Sequence, residues 1–225
     1  MARAIAITKA LATAASATAV CLSQTPLASG NLTINGIHAA GGVATLDSQR
    51  RILVTSGGDD RSITFTITGT NESGTGIKDT FAGSNGSTAQ SNLDFLTVTQ
   101  VYISGASAST ITVGTNGVGS CPWQRFDSYV ITPDLGLTCV LVSGGTATIQ
   151  VEYTNDDFMV GTSGSAIAYA PANTPPNTFL HPSLQALTAT TAGTFDWPIK
   201  GWRFTILSGT SSWTVTGIQQ GISSP

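Results

Sequence analysis

The sequence predicts an all-β protein: two tandem antiparallel β-sandwich-like units preceded by an extended N-terminal arm. Three observations carry that expectation. A β-type run, a Ser-Gly pair, a short polar stretch and a second β-type run recur four times along the chain. Thr and Ser, at 35 and 24 of 225 residues, dominate the polar composition, while only 9% of the chain is charged. Apolar residues alternate with threonine at a period of two, which puts one strand face in a core and the other in solvent. Threonine suits a pleated surface and the 25 glycines supply turns.

Residues 1–45 read as the arm, with a short helix over Ile5 to Val20 followed by extended chain. Arg3 and Lys9 precede an Ala/Ser/Thr-rich stretch, but Thr13, Ser16 and Thr18 dilute it too much for the apolar centre of a secretory signal. No other segment approaches the roughly 18 apolar residues of a membrane span. An arm with so little core of its own would be ordered most simply by a neighbouring subunit.

Residues 46–120 read as the first sandwich unit. Ile52 to Ser56-Gly57 leads to Ile63–Ile67, and Val101 to Ser104-Gly105 leads to Thr110–Val113; each reads as a β-hairpin. Ile63, Phe65 and Ile67 share one face, Thr64, Thr66 and Thr68 the other. Between these copies, Asn71 to Gly76 offers a turn, Ile77 to Phe81 a strand, Gly83 to Asn92 a polar loop and Phe95 to Ile103 a strand. Gly114 to Gly119 resembles a phosphate loop only in composition and reads as an interdomain linker.

Residues 121–225 read as the second unit, opened by Cys121-Pro122-Trp123, where proline breaks the ladder. Strands are expected at Tyr129–Ile131, Leu137–Val142 and Ala147–Tyr153, the last with Ala147, Ile149, Val151 and Tyr153 on one face. A long loop comes next at 156–182, of a length that usually carries function or is ordered by a partner. Gly201–Leu207 and Trp213–Ile218 close the unit, with Ser143-Gly144 and Ser208-Gly209 as its two hairpin loops.

The material for chemistry is thin. A net charge of −3 removes the clustered basic face of a nucleic-acid binder, and Arg50-Arg51 reads as a solvated pair or a partner of Asp47. Of the two histidines, His181 could orient a serine with help from Asp156-Asp157, but reads first as a loop residue bonded to backbone; His38 reads the same way. Asp59-Asp60 and Asp156-Asp157 could offer oxygen ligands to calcium, but they follow strands where Asp starts turns. No His or Cys pair stands at zinc-ligand spacing, so no catalytic, cofactor or metal site is assigned. Cys21, Cys121 and Cys139 read as buried thiols, with a Cys121–Cys139 bridge as the alternative. The sequons at Asn31, Asn71 and Asn85 would matter only on a eukaryotic secretory route. The four tryptophans all lie in the second half; they read as core and junction packing, with Trp197, Trp202 or Trp213 as an exposed glycan platform in the alternative reading.

One resemblance joins these pieces. Ser23–Leu27, Leu32-Thr33-Ile34-Asn35-Gly36, Gly41–Asp47, Arg50-Arg51-Ile52, Ile63–Thr70, Phe95–Thr99 and Val113–Gly117 look like structural proteins of tailed bacteriophage virions. His181-Pro182, Leu187-Thr188-Ala189 and Pro198–Arg203 continue the likeness, which spans most of residues 23–220. It implies a non-enzymatic virion component made in the host cytoplasm. Its partners would be other virion proteins (major capsid, portal or adaptor, or tail subunits) and copies of itself, with no nucleic acid, membrane or cofactor. Capsid decoration and head-to-tail or tail assembly are both open to it, and a carbohydrate-binding sandwich using exposed tryptophans is the alternative.

Overall fold

The structure, a computed structural model, describes residues 3–10, 15–125, 134–142, 146–156, 176–209 and 212–219. Among these the regular elements are all β. In chain order they are β1 (Arg3–Ala10), β2 (Ser16–Gln24), β3 (Gly30–Asn31), β4 (Ala39–Ala40), β5 (Val43–Ser56), β6 (Thr64–Thr70), β7 (Gly76–Ala82) and β8 (Thr88–Ile103). β9 (Ile111–Ser120), β10 (Gln124–Arg125), β11 (Leu135–Leu141), β12 (Ala147–Thr154), β13 (Phe179–Leu180), β14 (Thr191–Phe195), β15 (Gly201–Gly209) and β16 (Ser212–Gln219) complete the series. The expectation of an all-β, antiparallel protein holds. Contacts divide the chain into two compact units, one built on Thr13–Gly119 and the other on Ser120–Phe158 and Pro176–Pro225 together with Met1–Ala12.

In the first unit the strand order is β9-β5-β8-β6-β7, with β2 on β9, β3 on β8 and β4 on β5. The long strands β5 and β8 run antiparallel through register shifts at Thr45/Arg50 and Arg51/Leu53. Such bulges bend a strand and increase its twist. The expected alternation is present in β6, where Phe65 and Ile67 are fully buried among Ile52, Phe95, Val101 and Ile103. On the opposite face, Thr66 bonds Thr80 at 2.9 Å and Thr70 bonds Thr97 at 2.7 Å, so threonine hydroxyls tie neighbouring strands laterally. At the bulge in β5, Arg50 is 1% exposed and is held by a two-pronged pair to Asp47, with Nε and Nη2 at 2.7 and 2.6 Å from its carboxylate oxygens. That geometry suits a planar guanidinium taken out of water.

The second unit has two sheets, β1-β16-β11-β14 and β13-β12-β15, with β10 added to β15. Their inward residues form one core: Leu135, Leu137 and Cys139 of β11 and Trp213 and Val215 of β16 cluster with Ile149, Val151, Trp202, Phe204 and Ile206 of the other sheet. A Cβ added at Gly217 would stand 2.7 Å from the Trp202 ring, so the absence of a side chain there lets the indole settle between the sheets. This is sandwich packing.

Several expectations change. None of the strand pairs that flank the four Ser-Gly loops forms a hairpin, and Ser143-Gly144 itself lies outside the described residues. β8 lies between β5 and β6, and β5 lies between β8 and β9; β11 and β12, like β15 and β16, belong to different sheets. The first of these loops still has turn chemistry. Ser56 Oγ accepts from Gly58 N at 3.1 Å and bonds the Asp60 carboxylate, whose other oxygen accepts from Ala108 N at 2.8 Å. At Gly209, φ is +109° and a Cβ would collide with the Thr146 carbonyl and Ala147 Cα, so that glycine serves a close pass of backbone. Among the described residues, short turns close the hairpins β4–β5, turned by Gly41-Gly42 with φ of 59° and 79°, and β6–β7, turned at Asn71–Thr75. A two-residue loop with positive φ at both positions matches the twist of the strands it joins.

The helix over Ile5–Val20 is not formed; β1 and β2 occupy the described part of that stretch. Ile5 and Ile7 recur at a period of two with Thr8 beside them, a pattern that favours strand over helix. Nor is 1–45 an arm without core, since Ala19, Val20, Cys21 and Leu32 are buried in the first unit. The linker expected at Gly114–Gly119 is part of β9, and the polar loop expected to reach Asn92 gives way to strand at Thr88. Tyr129–Ile131, and the part of the long loop at 157–175, lie outside the described residues.

Candidate interaction surfaces

The outward face of the β1-β16-β11-β14 sheet is a regular surface that the alternation produces. With Leu135, Leu137 and Cys139 directed to the core, β11 presents Gly136, Thr138 and Val140 outward; β16 likewise presents Thr214, Thr216 and Ile218. Register pairs Thr138 with Thr216, Val140 with Thr214 and Gly136 with Ile218. On the next strand Thr194 and Ala192, opposite Gly136 and Thr138, are exposed. On the other side Thr8, Ala6 and Ala4 of β1 stand at the positions opposite Thr214, Thr216 and Ile218. None of these positions carries a charge, and Val140 and Ile218 are 39% and 50% exposed. With strands about 4.8 Å apart and about 3.3 Å per residue, β11, β14 and β16 offer on the order of 300 Å² of neutral surface. That is the size at which a patch on a lone chain is often functional, yet well short of the roughly 800 Å² per partner of a standard interface. The face can be part of an interface, and other surface must complete it.

A second feature is aromatic. Phe179 and Leu180, 48% and 43% exposed, form the short edge strand β13, which pairs with β12 at Tyr153 and Glu152. Phe179 stacks on Tyr153 with centroids 5.5 Å apart, and Tyr153 meets Phe195 and Trp197 edge-on at 5.5 and 6.1 Å. His181 closes the group, 4.5 Å from Phe195 and 2% exposed. Its Nε2 faces the Thr194 carbonyl at 3.0 Å, and its Nδ1 accepts from Ser183 N at 3.2 Å. The ring therefore links two backbone segments, the loop role expected of it. Asp156 does not orient it: that carboxylate accepts from Asn177 N and Nδ2 at 2.6 and 3.0 Å, and Asp157 lies outside the described residues. The triad that the sequence allowed is not assembled around His181 and Asp156.

The remaining candidates take structural positions. His38 is half-buried, and its main chain bonds Ala19 and Thr45. Asp60 is buried and ties loops together, while Asp59 pairs with Arg61 at 2.7 Å. Hydrogen bonds from Arg61 hold the Asp59 carboxyl down to about 2. Among the described residues no group of three or more His, Cys, Asp and Glu side chains is arranged to hold a metal. Cys21, Cys121 and Cys139 are buried thiols outside any disulfide, so Cys121 and Cys139 are not bridged. Burial pushes the Cys21 thiol up to about 12 and the Cys139 thiol to about 11. Trp202 and Trp213 are 1% and 0% exposed, which removes them as glycan platforms; Trp197 is half-buried in the aromatic group. Their width fills the core between the sheets, as the packing reading expected.

Two arrangements escaped the sequence. The neutral outward face was written in Thr138/Val140 and Thr214/Thr216/Ile218, but only the pairing of β11 with β16 makes them one surface. The second is a polar group across β12 and β15: Arg203 Nε lies 2.7 Å from Glu152, Gln150 donates to the same carboxylate at 2.7 Å, and the guanidinium stacks 4.7 Å over Trp123. Residues 152 and 203 are cross-strand neighbours far apart in the chain, and no local pattern announces them. Comparisons of the chain with family models, curated proteins and solved structures found no match.

Proposed function

We propose that this protein is a non-enzymatic structural component of a tailed-phage virion, binding neighbouring capsid or head-to-tail subunits and stabilising the particle. The observation that carries the reading is the neutral outward face of β11, β14 and β16, with Val140 and Ile218 exposed on it. A sheet face of Thr, Ala, Gly and β-branched residues loses little side-chain entropy when covered and has no charge to desolvate. The order of the Gly/Thr-rich segments that resemble virion proteins supports the same reading. In this role the face lies against another subunit, and further surface, at loops or strand edges, makes up the rest of the contact.

The test is co-expression with the capsid and head-to-tail proteins of a tailed phage that carries this chain, then gradient purification of the particles. The unmodified chain is expected in the particle fraction at a fixed ratio to the coat protein. Val140→Lys with Ile218→Lys, at exposed positions not directly opposite one another, should fold normally by circular dichroism and be lost from that fraction. Absence of the unmodified chain from particles would overturn the proposal. Undiminished incorporation of the double variant would overturn the part assigned to this face.

A further inference from the structure

The strand β1 stands apart in its unit. All eight of its residues pair with β16, from Arg3 opposite Gln219 to Ala10 opposite Ser212, and among the described residues β16 is its one neighbour in the sheet. The next strand, β2, belongs to the other compact unit, so β1 is an isolated contribution to a unit whose remaining strands all lie beyond Ser120. The bonds between β1 and β16 are main-chain bonds. They are therefore equally good whichever copy of the chain supplies β1, provided the register is kept.

The edge that β1 covers also matters. Trp213 and Val215 commit the inner face of β16 to the core and β11 pairs its other edge, so β16 has anchors besides β1. Without β1, its free edge would be a row of unpaired N–H and C=O groups, a template for another strand. A strand that belongs to a different unit from its successor β2, and is held by one neighbouring strand, is an element that domain swapping can exchange.

We propose that β1 is a donated strand: in the self-associated protein, residues 3–10 of one copy complete the β16 edge of another copy. Own-strand and neighbour-strand pairing make the same bonds, so the choice turns on the tether against the local concentration of other copies. The contact is heterologous, because a β1 meets a β16 and never another β1. One-way donation then closes a ring or extends a chain, and reciprocal donation gives a dimer. This inference concerns copies of the chain alone and stands apart from which particle, if any, they join.

The experiment uses the purified full-length chain with no other virion protein. One preparation carries Ala6→Cys and a second, distinguished by its tag, carries Thr216→Cys; these positions are directly opposed in the β1–β16 register. Opposed residues of an antiparallel pair lie about 4.5–5.5 Å apart at Cα, within reach of a disulfide. The native thiols are buried and do not compete. After the two preparations are concentrated together and mildly oxidised, a covalent dimer containing both tags is expected on a non-reducing gel. The control replaces Thr216→Cys by Thr138→Cys, exposed on the same sheet face but one strand further from β1. It should give no such dimer, because a random collision would link either position alike. A chain carrying both Ala6→Cys and Thr216→Cys should form the internal disulfide when dilute, which shows that the substitutions leave the strand in place. Overturning outcomes are no mixed dimer at any concentration while that internal disulfide forms, or a mixed dimer equal in yield to the Thr138→Cys control.

Discussion

Asp60 shows how much one buried side chain can hold. It is 1% exposed; one oxygen bonds Ser56 Oγ, the other accepts from Ala108 N, and its own N–H donates to the Ser84 carbonyl at 2.9 Å. Three loops are thus fastened at one residue. Asp60→Ala leaves the Ala108 amide and the Ser56 hydroxyl without their acceptor, and should cost about 2–4 kcal/mol in urea denaturation. Asp60→Asn keeps one oxygen acceptor and should cost less. The buried thiols tie stability to pH. Burial raises Cys21 to about 12 and Cys139 to about 11 from an ordinary 9.0, so the folded state holds these protons more tightly than the unfolded one. Their stabilising share is whole below pH 9.0 and is lost as pH climbs through about 11 to 12. Denaturation midpoints should therefore fall over that range and recover part of the loss in Cys21→Ala. At pH 8 the native protein should show no thiol titre, and all three cysteines should appear after denaturation. Burial of Asp60 beside exposed Asp59 is not legible in the sequence, since adjacent acids look alike until the fold sends one inward.

At the scale of elements, the alternation is legible and the connections are not. A period of two assigns Phe65, Ile67, Ala147, Ile149 and Val151 to core faces, and they are buried. The Ser-Gly loops mislead because a turn signal says that the chain reverses, not which strand the next one pairs with. A strand that returns beside its predecessor and a strand that crosses to a second sheet begin with the same local chemistry. Gly209 marks the difference, standing at φ +109° against the backbone of Thr146 and Ala147. Gly209→Ala adds a methyl where there is neither a favourable φ nor space. It should destabilise the second unit by about 2 kcal/mol or more in thermal unfolding, as expected of strained backbone combined with a steric clash. The same change at a hairpin turn in open space, such as Gly42→Ala, meets no neighbour within 4 Å and should cost about 1 kcal/mol.

For the whole molecule, the sequence predicts an arm that docks and two units in tandem. The chain instead threads its first strand into the unit that the rest of it reaches only after Gly119. Distance along a sequence hides such a pairing, because a strand of Ala, Ile and Thr has no mark that names its partner. Truncation at residue 22 would therefore remove Ala19, Val20 and Cys21 from a core, whereas truncation at residue 10 would remove β1 alone. The functional reading rests on the same architecture: the neutral face exists because β11, β14 and β16 lie side by side, drawn from segments on either side of the long loop.

The pairing of β1 with β16 also sets an order of events in the cell. Roughly 200 residues separate the two strands, so on a ribosome adding about 5–20 residues per second β1 waits on the order of 10–40 s for its own β16 to emerge. Through that interval the first unit can fold while β1 is left without its pair. Ribosomes following one another along a message hold nascent copies close together. The first β16 to reach a waiting β1 then need not come from the same polypeptide.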